Sequence, residues 1–168
     1  MGKILFAEKG GIYVLRFEGD VRLTMGPTIT TFLEKLKSRE DFRAMVIDLS
    51  ATEAIDSTAL GLIAKVGICC REHFNHTLSI VSPKDDITRV LKSMAMEKIC
   101  VVASDAISDE AGLAELPQEV ASEASLRDHV LEAHRTLISL GAENEEKFKD
   151  LVEALEQEKQ ETPSRLAS

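Results

Sequence analysis

Asp48-Leu-Ser-Ala-Thr-Glu-Ala-Ile-Asp-Ser-Thr-Ala-Leu-Gly61 is the stretch whose reading decides the fold. It begins at the end of Ala44-Met-Val-Ile-Asp48, a continuous apolar run of strand length, as expected for a strand buried on both faces. It ends in a segment, Ser57 to Arg71, where Leu60, Ile63, Ala64 and Ile68 fall along one side of a helix. Either Asp56 or Ser57 is a natural N-cap for that helix. The stretch therefore reads as a buried strand running through a short loop into a helix N-terminus. Such an N-terminus offers unpaired N–H groups and a partial positive charge, so a phosphate or another anion is favoured beside Ser57.

On the N-terminal side, Lys3 to Ala7 and Ile12 to Phe17 are short apolar stretches separated by Gly10-Gly11, the pattern of a hairpin. Gly26-Pro27 then opens a stretch in which Ile29, Phe32, Leu33 and Leu36 recur at helical spacing, with Pro27 suited to a first turn. On the C-terminal side, Leu78 to Val81 reads as a strand ended by Ser82-Pro83. Ile87, Val90, Leu91 and Met94 mark a helix from near Asp85, and Ile99 to Val102 supplies a last strand. The order β-β-α-β-α-β-α-β predicts an α/β fold, a mixed sheet with helices packed against it.

Beyond Ser104 the character of the chain changes. Of its 168 residues, the first 104 carry 14 Lys/Arg against 13 Asp/Glu, whereas residues 105–168 carry 6 against 16, so the formal charge of −9 resides in the tail. β-Branched runs give way there to Ala, Glu, Leu and Lys. Leu126, Val130, Ala133, Leu137 and Leu140 follow a 4,3,4,3 spacing that Phe148, Leu151 and Leu155 continue, which predicts one amphipathic face. Gly141 either separates two helices or is absorbed in one, and Glu161 to Ser168, with Pro163, reads as a frayed end. Two units are expected: a core over 1–104 and an acidic helical extension over 105–168. The tail is either a solvated acidic face or an interaction surface.

Composition narrows the function. At 44% apolar and 29% charged residues the chain is that of a globular protein. Its scarce aromatics and acidic balance argue against nucleic-acid binding. No window approaches a membrane span and no export signal is visible. Cys69, Cys70 and Cys100 form no CxxC or Cys/His ligand spacing, which points to reduced thiols in a cytoplasmic setting and to no metal. A protein partner is the remaining expectation.

The stretch Asp56-Ser57-Thr58-Ala59-Leu60-Gly61 resembles the motif of the STAS domain, the fold of anti-sigma factor antagonists, in which Asp-Ser-Ser-Gly-Leu-Gly begins a helix after a short loop. The resemblance spans roughly residues 3 to 104. It differs at Ala59, where the family has Gly, and at Gly19-Asp20-Val21-Arg22, where Arg22 replaces a common acidic residue. The resemblance implies a STAS-like mixed sheet and a protein that is not an enzyme and needs no cofactor. It also implies phosphorylation at Ser57 and partner binding through Asp56, Ser57, Thr58, Ala59, Leu60 and Gly61. The partners it implies are an anti-sigma factor, whose capture frees a sigma factor, together with a serine kinase and a phosphatase. With its long acidic tail the chain looks like the HsbA-like antagonists of bacterial flagellar, secretion and biofilm control. That subgroup implies a flagellar anti-sigma factor as target and a diguanylate cyclase as second partner. The other reading is a STAS module that docks on a transporter or senses a nucleotide or small anion at the Ser57 helix N-terminus.

The remaining polar residues carry blander expectations. Ser57 as a catalytic nucleophile needs a base and an orienting partner, and no Gly-x-Ser-x-Gly elbow is present. His73 and His76 suit the C-terminal end of the second core helix. His134 faintly resembles the histidine of phosphotransfer helices but lacks their Lys and Gly, leaving a solvated or interhelical side chain. Cys69 and Cys70 read as packing residues.

Overall fold

Two glycines with positive φ close the first hairpin: Gly10 at 60° and Gly11 at 83° turn β1 (Lys3–Lys9) back on β2 (Ile12–Val21), with Lys3 opposite Glu18 and Lys9 opposite Ile12. The computed structural model describes residues 2–104 and 112–161. A 3-10 turn at Leu23–Met25 leads into α1 (Gly26–Lys37), which carries Pro27 in its first turn, and β3 (Ala44–Asp48) follows parallel to β2.

A strand that the sequence pattern did not mark comes next. β4 (Thr52–Ile55) lies inside what reads as a loop, and pairs parallel with the far end of β2, from Gly19 to Val21. Besides β1, β2 pairs with β3 over residues 12–16 and with β4 from Gly19 on; the register shifts between Gly19 and Asp20, where Gly19 has a φ of 77°. α2 (Ser57–Phe74), β5 (Leu78–Val81), α3 (Asp85–Ser93) and β6 (Cys100–Ala103) complete the core, with β5 parallel to β3 and β6 parallel to β5. A two-residue strand, β7 (Ala114–Glu115), pairs antiparallel with β1, giving the order β6-β5-β3-β2-β1-β7. The expected mixed sheet packed against helices is present.

Phe17, Leu15, Met45, Ile47 and Ile80 of the sheet pack with Ile29, Leu36, Leu60 and Ile63 of α1 and α2 in one buried cluster. The expectation that β3 is buried on both faces needs correction: Met45 and Ile47 are fully buried, while Ala44 and Val46 keep some exposure. The two faces of the sheet are therefore shielded unequally.

Two helices follow the sheet, α4 (Glu123–Ser139) and α5 (Ala142–Glu161), so Gly141 separates rather than continues. α4 lies on α2, touches α1, and in turn carries α5. Ala133, Leu137 and Leu140 join the core cluster as the spacing predicts, with Leu126 and Val130 half-buried. The predicted continuation fails at Leu151, which is 40% exposed; Asn144 and Val152 are buried instead, beside a half-buried Phe148. The break at Leu140-Gly141 resets the helical phase, so a stripe counted through it points the wrong residue inward. Asn144 pins the bend, its Nδ2 donating to the carbonyls of Met94 and Leu137, each at 2.8 Å. Residues 162–168 of the expected frayed end lie outside the described residues. No helix among the described residues is long and apolar enough to cross a membrane.

Candidate phosphorylation and docking site

The route from β3 to α2 is held by side-chain bonds alongside the pairing of β4 with β2. Asp48, 4% exposed, accepts the Ser50 N–H at 2.9 Å, turning the chain as soon as the strand ends. The Thr52 hydroxyl donates to the Phe17 carbonyl at 2.8 Å, tying β4 to β2. The Asp56 N–H donates to the Val21 carbonyl at 3.1 Å, which holds the start of α2 against the end of β2.

Asp56 is the N-cap, which resolves the two options left by the sequence. Its backbone is extended, and its Oδ1 accepts the Ala59 N–H at 2.7 Å while Oδ2 accepts the Leu23 N–H at 3.2 Å. One carboxylate thus starts the helix and anchors the turn ahead of α1. Ser57 is consequently the first helical residue and its hydroxyl is not consumed by capping.

That hydroxyl meets a residue 77 positions away. Ser57 Oγ lies 2.8 Å from His134 Nε2, and His134 Nδ1 lies 2.7 Å from the Val130 carbonyl. A carbonyl only accepts, so Nδ1–H donates to Val130, which in the neutral ring leaves Nε2 to accept the Ser57 proton. His134 is 2% exposed, with the Phe148 ring edge-on at 4.9 Å. Next to this contact the α2 and α4 backbones touch: a Cβ on Gly61 would stand 2.2 Å from the Ala133 carbonyl oxygen.

Of the six residues expected to bind a partner, Asp56 and Ser57 are half-buried, Thr58, Ala59 and Leu60 are buried, and Gly61 lies under α4. The interhelical option for His134 is the one observed. A serine with a histidine at hydrogen-bond distance has the form of a nucleophile and its base. Here, however, α4 and Phe148 roof the pair, and the second ring nitrogen rests on a main-chain carbonyl. The arrangement therefore has the nucleophile and base but no third polar side chain orienting the base.

Other singled-out residues fall into structural roles. Arg22 pairs with Asp20 at 3.2 Å in an exposed position. His73 Nε2 is 2.9 Å from the Lys37 carbonyl. His76 departs from its expected place at a helix end: Asn75, at φ 53°, caps α2, and His76 Nε2 accepts the Met45 N–H at 3.3 Å. A ring nitrogen that accepts a backbone proton is not acting as a cation for the helix dipole. All three cysteines are buried and unpaired; burial pushes the thiols of Cys70 and Cys100 up to about 12. Among the described residues, no group of three or more His, Cys, Asp and Glu side chains is arranged to hold a metal.

His134, Ala133 and Phe148 are what sequence reasoning missed at this site. The available signal was a histidine inside an otherwise apolar stripe, flanked by Ala133 and Leu137. Nothing local could name Ser57 as its partner.

Comparison with known proteins follows the same outline. The STAS domain family model matches residues 3–108. Comparison with curated proteins returns no match. Among solved structures the chain is similar to an anti-sigma factor antagonist from Mycobacterium paratuberculosis, at 18% identity and a TM-score of 0.51, over 62% of this chain and 87% of that one. A likeness at that identity speaks to the fold.

Proposed function

The chain belongs to the STAS domain family, and from that premise we propose that it is an anti-sigma factor antagonist that switches partners through phosphorylation of Ser57. The observation that carries this reading is the division of labour at the start of α2, where Asp56 caps the helix through the Ala59 N–H, holds the Leu23 N–H with its other oxygen, and leaves the Ser57 hydroxyl to one side-chain contact. A hydroxyl in that place is neutral until modified, then carries about −1.5 to −2 charges at pH 7. The positive end of α2 favours that charge, so the antagonist keeps its own fold. A partner surface packed over Ser57 does not, because desolvating an unpaired charge costs several kcal/mol. About 3 kcal/mol weakens binding roughly 100-fold.

The chain is a substrate in this scheme, not a catalyst. In the kinase step Ser57 Oγ forms a bond to the γ-phosphorus of ATP as the bond from that phosphorus to the β–γ bridging oxygen breaks. ADP leaves with the bonding pair and the hydroxyl proton passes to a base of the kinase. A phosphatase restores the hydroxyl. The unmodified form holds an anti-sigma factor and so frees a sigma factor for transcription. The HsbA-like resemblance supports a flagellar target and a diguanylate cyclase as a second partner, in control of motility and biofilm genes. An anion or nucleotide sensor at the same helix N-terminus is the weaker reading, because a free ligand needs a standing cavity beside Ser57 and His134 Nε2 lies 2.8 Å from that hydroxyl.

Phosphopeptide mass spectrometry on protein incubated with its kinase is expected to place phosphate on Ser57, and Ser57→Ala to abolish labelling. Ser57→Ala keeps anti-sigma binding, whereas authentic phosphoserine loses at least tenfold. Labelling at Ser50 or Thr58 instead of Ser57 overturns the assignment.

A further inference from the structure

α4 is a segment of this chain seated on the surface that a partner of Ser57 must use. Its backbone approaches α2 so closely that Gly61 has no room for a Cβ, and its His134 holds the Ser57 hydroxyl at 2.8 Å. Ala133, Leu137 and Leu140 share one buried cluster with Leu60 and Ile63 of α2. Covering is therefore steric, polar and apolar at once.

A phosphoryl group does not fit into the contact between Ser57 and His134. It adds a phosphorus and three oxygens at Oγ, where the gap to Nε2 is one hydrogen bond long. The imidazole is braced on its other sides, with Phe148 against its ring and Nδ1 bonded to the Val130 carbonyl at 2.7 Å. A kinase must also bring a γ-phosphate in line with Oγ, and that oxygen is engaged by His134 Nε2 of α4. A partner docking over Gly61 meets the same obstacle, since the Ala133 backbone of α4 already stands there.

We propose that docking of α4 on α2 excludes both phosphorylation of Ser57 and partner binding over α2, so that α4 is a built-in latch whose contact points are His134 and Ala133. The inference rests on the reading of Ser57 as the phosphorylated residue. The latch has few polar fastenings to break: Lys98 Nζ donates to the Leu140 carbonyl at 2.6 Å, Asn144 to Met94, and Lys147 to the Ser93 carbonyl at 3.0 Å. A partner binds only the released fraction, so its apparent affinity is lowered by that fraction. Once on Ser57, a phosphate keeps the helix from redocking.

Hydrogen exchange on the full chain tests this, with residues 123–139 as the readout and residues 44–48 and 78–81 as an internal check on the sheet. Three variants are compared with wild type: Gly61→Ala and Ala133→Leu, which wedge the helices apart from opposite sides, and Ser57→Glu, which places charge and bulk at Oγ. Expected is at least tenfold faster exchange over 123–139 in all three, with the sheet unchanged. If a wedge variant also loosens the sheet, Ser57→Glu decides. Phosphate-affinity gels of the chain in native cell extract with ATP are expected to show Ser57 phosphorylated at least fivefold faster in Ala133→Leu than in wild type. Wild-type exchange over 123–139 in Ser57→Glu, or equal phosphorylation of wild type and Ala133→Leu, overturns the latch while leaving the Ser57 reading intact. No phosphate on Ser57 in any variant, although both wedges open α4, removes that reading and the coupling with it.

Discussion

Asp56 illustrates how much one side chain decides at the start of α2. Its two oxygens satisfy the N–H groups of Ala59 and Leu23, so removing them orphans a donor in the first turn and another in the chain ahead of α1. Asp56→Ala is expected to lower stability by about 1–2 kcal/mol, the usual cost of a lost N-cap, in urea titrations followed by circular dichroism. Asp56→Asn keeps the Ala59 bond and is expected to recover most of that loss. The buried thiols support a second expectation. With Cys70 and Cys100 pushed up to about 12, and Cys69 raised by burial as well, the reactive thiolate is scarce at pH 8. Native protein is expected to react with an aromatic disulfide reagent at least 100-fold more slowly than unfolded protein, which then titrates three thiols. Fast reaction of the native form would show that the α2 packing opens readily.

At the scale of the element, two histidines of α4 face the core. His134 meets Ser57, and His129 lies against the first residue of α1, where a Cβ on Gly26 would stand 2.8 Å from its Cδ2. Burial lowers the His129 pKa below its usual value; Lys65 of α2 lowers it further and Asp128 of α4 opposes both. The docked ring therefore binds a proton less readily than the released one. Docking is at full strength above the ordinary histidine pKa of about 6.5 and weakens as pH falls through that value toward the lower docked one. Exchange over residues 123–139, corrected for its intrinsic pH dependence, is expected to quicken from pH 7.5 to 5.5. His129→Gln is expected to remove the part of that slope that belongs to His129. An unchanged slope in the variant would assign it elsewhere.

For the whole molecule, the central question is whether the sheet and its three helices stand without α4 and α5. The family match ends at residue 108, and every parallel strand lies before it. A chain truncated after Ser104 is expected to unfold cooperatively in urea at a lower midpoint, and to self-associate in sedimentation, because it bares the part of α2 that Ala133, Leu137 and Leu140 cover. An insoluble or unfolded product would show that the core cannot fold without the α4 side chains packed into it, and would move the boundary. The sequence by itself determined the parts whose signals are local. The hairpin followed from Gly10-Gly11, β5 from an apolar run ended by Ser82-Pro83, α2 from apolar spacing behind an Asp-Ser start, and the change in character after Ser104 from charge. β4 escaped because Thr52 to Ile55 has no apolar alternation; its strand form comes from pairing with the bent end of β2. Leu151 was misplaced because a period counted across Gly141 carries no information about a bend that the Asn144 side chain pins from within α5. Only the tertiary structure decided that His134 sits on Ser57, since a hydrogen bond spanning 77 residues depends on how one helix is laid across another, and no periodicity in either helix encodes that crossing.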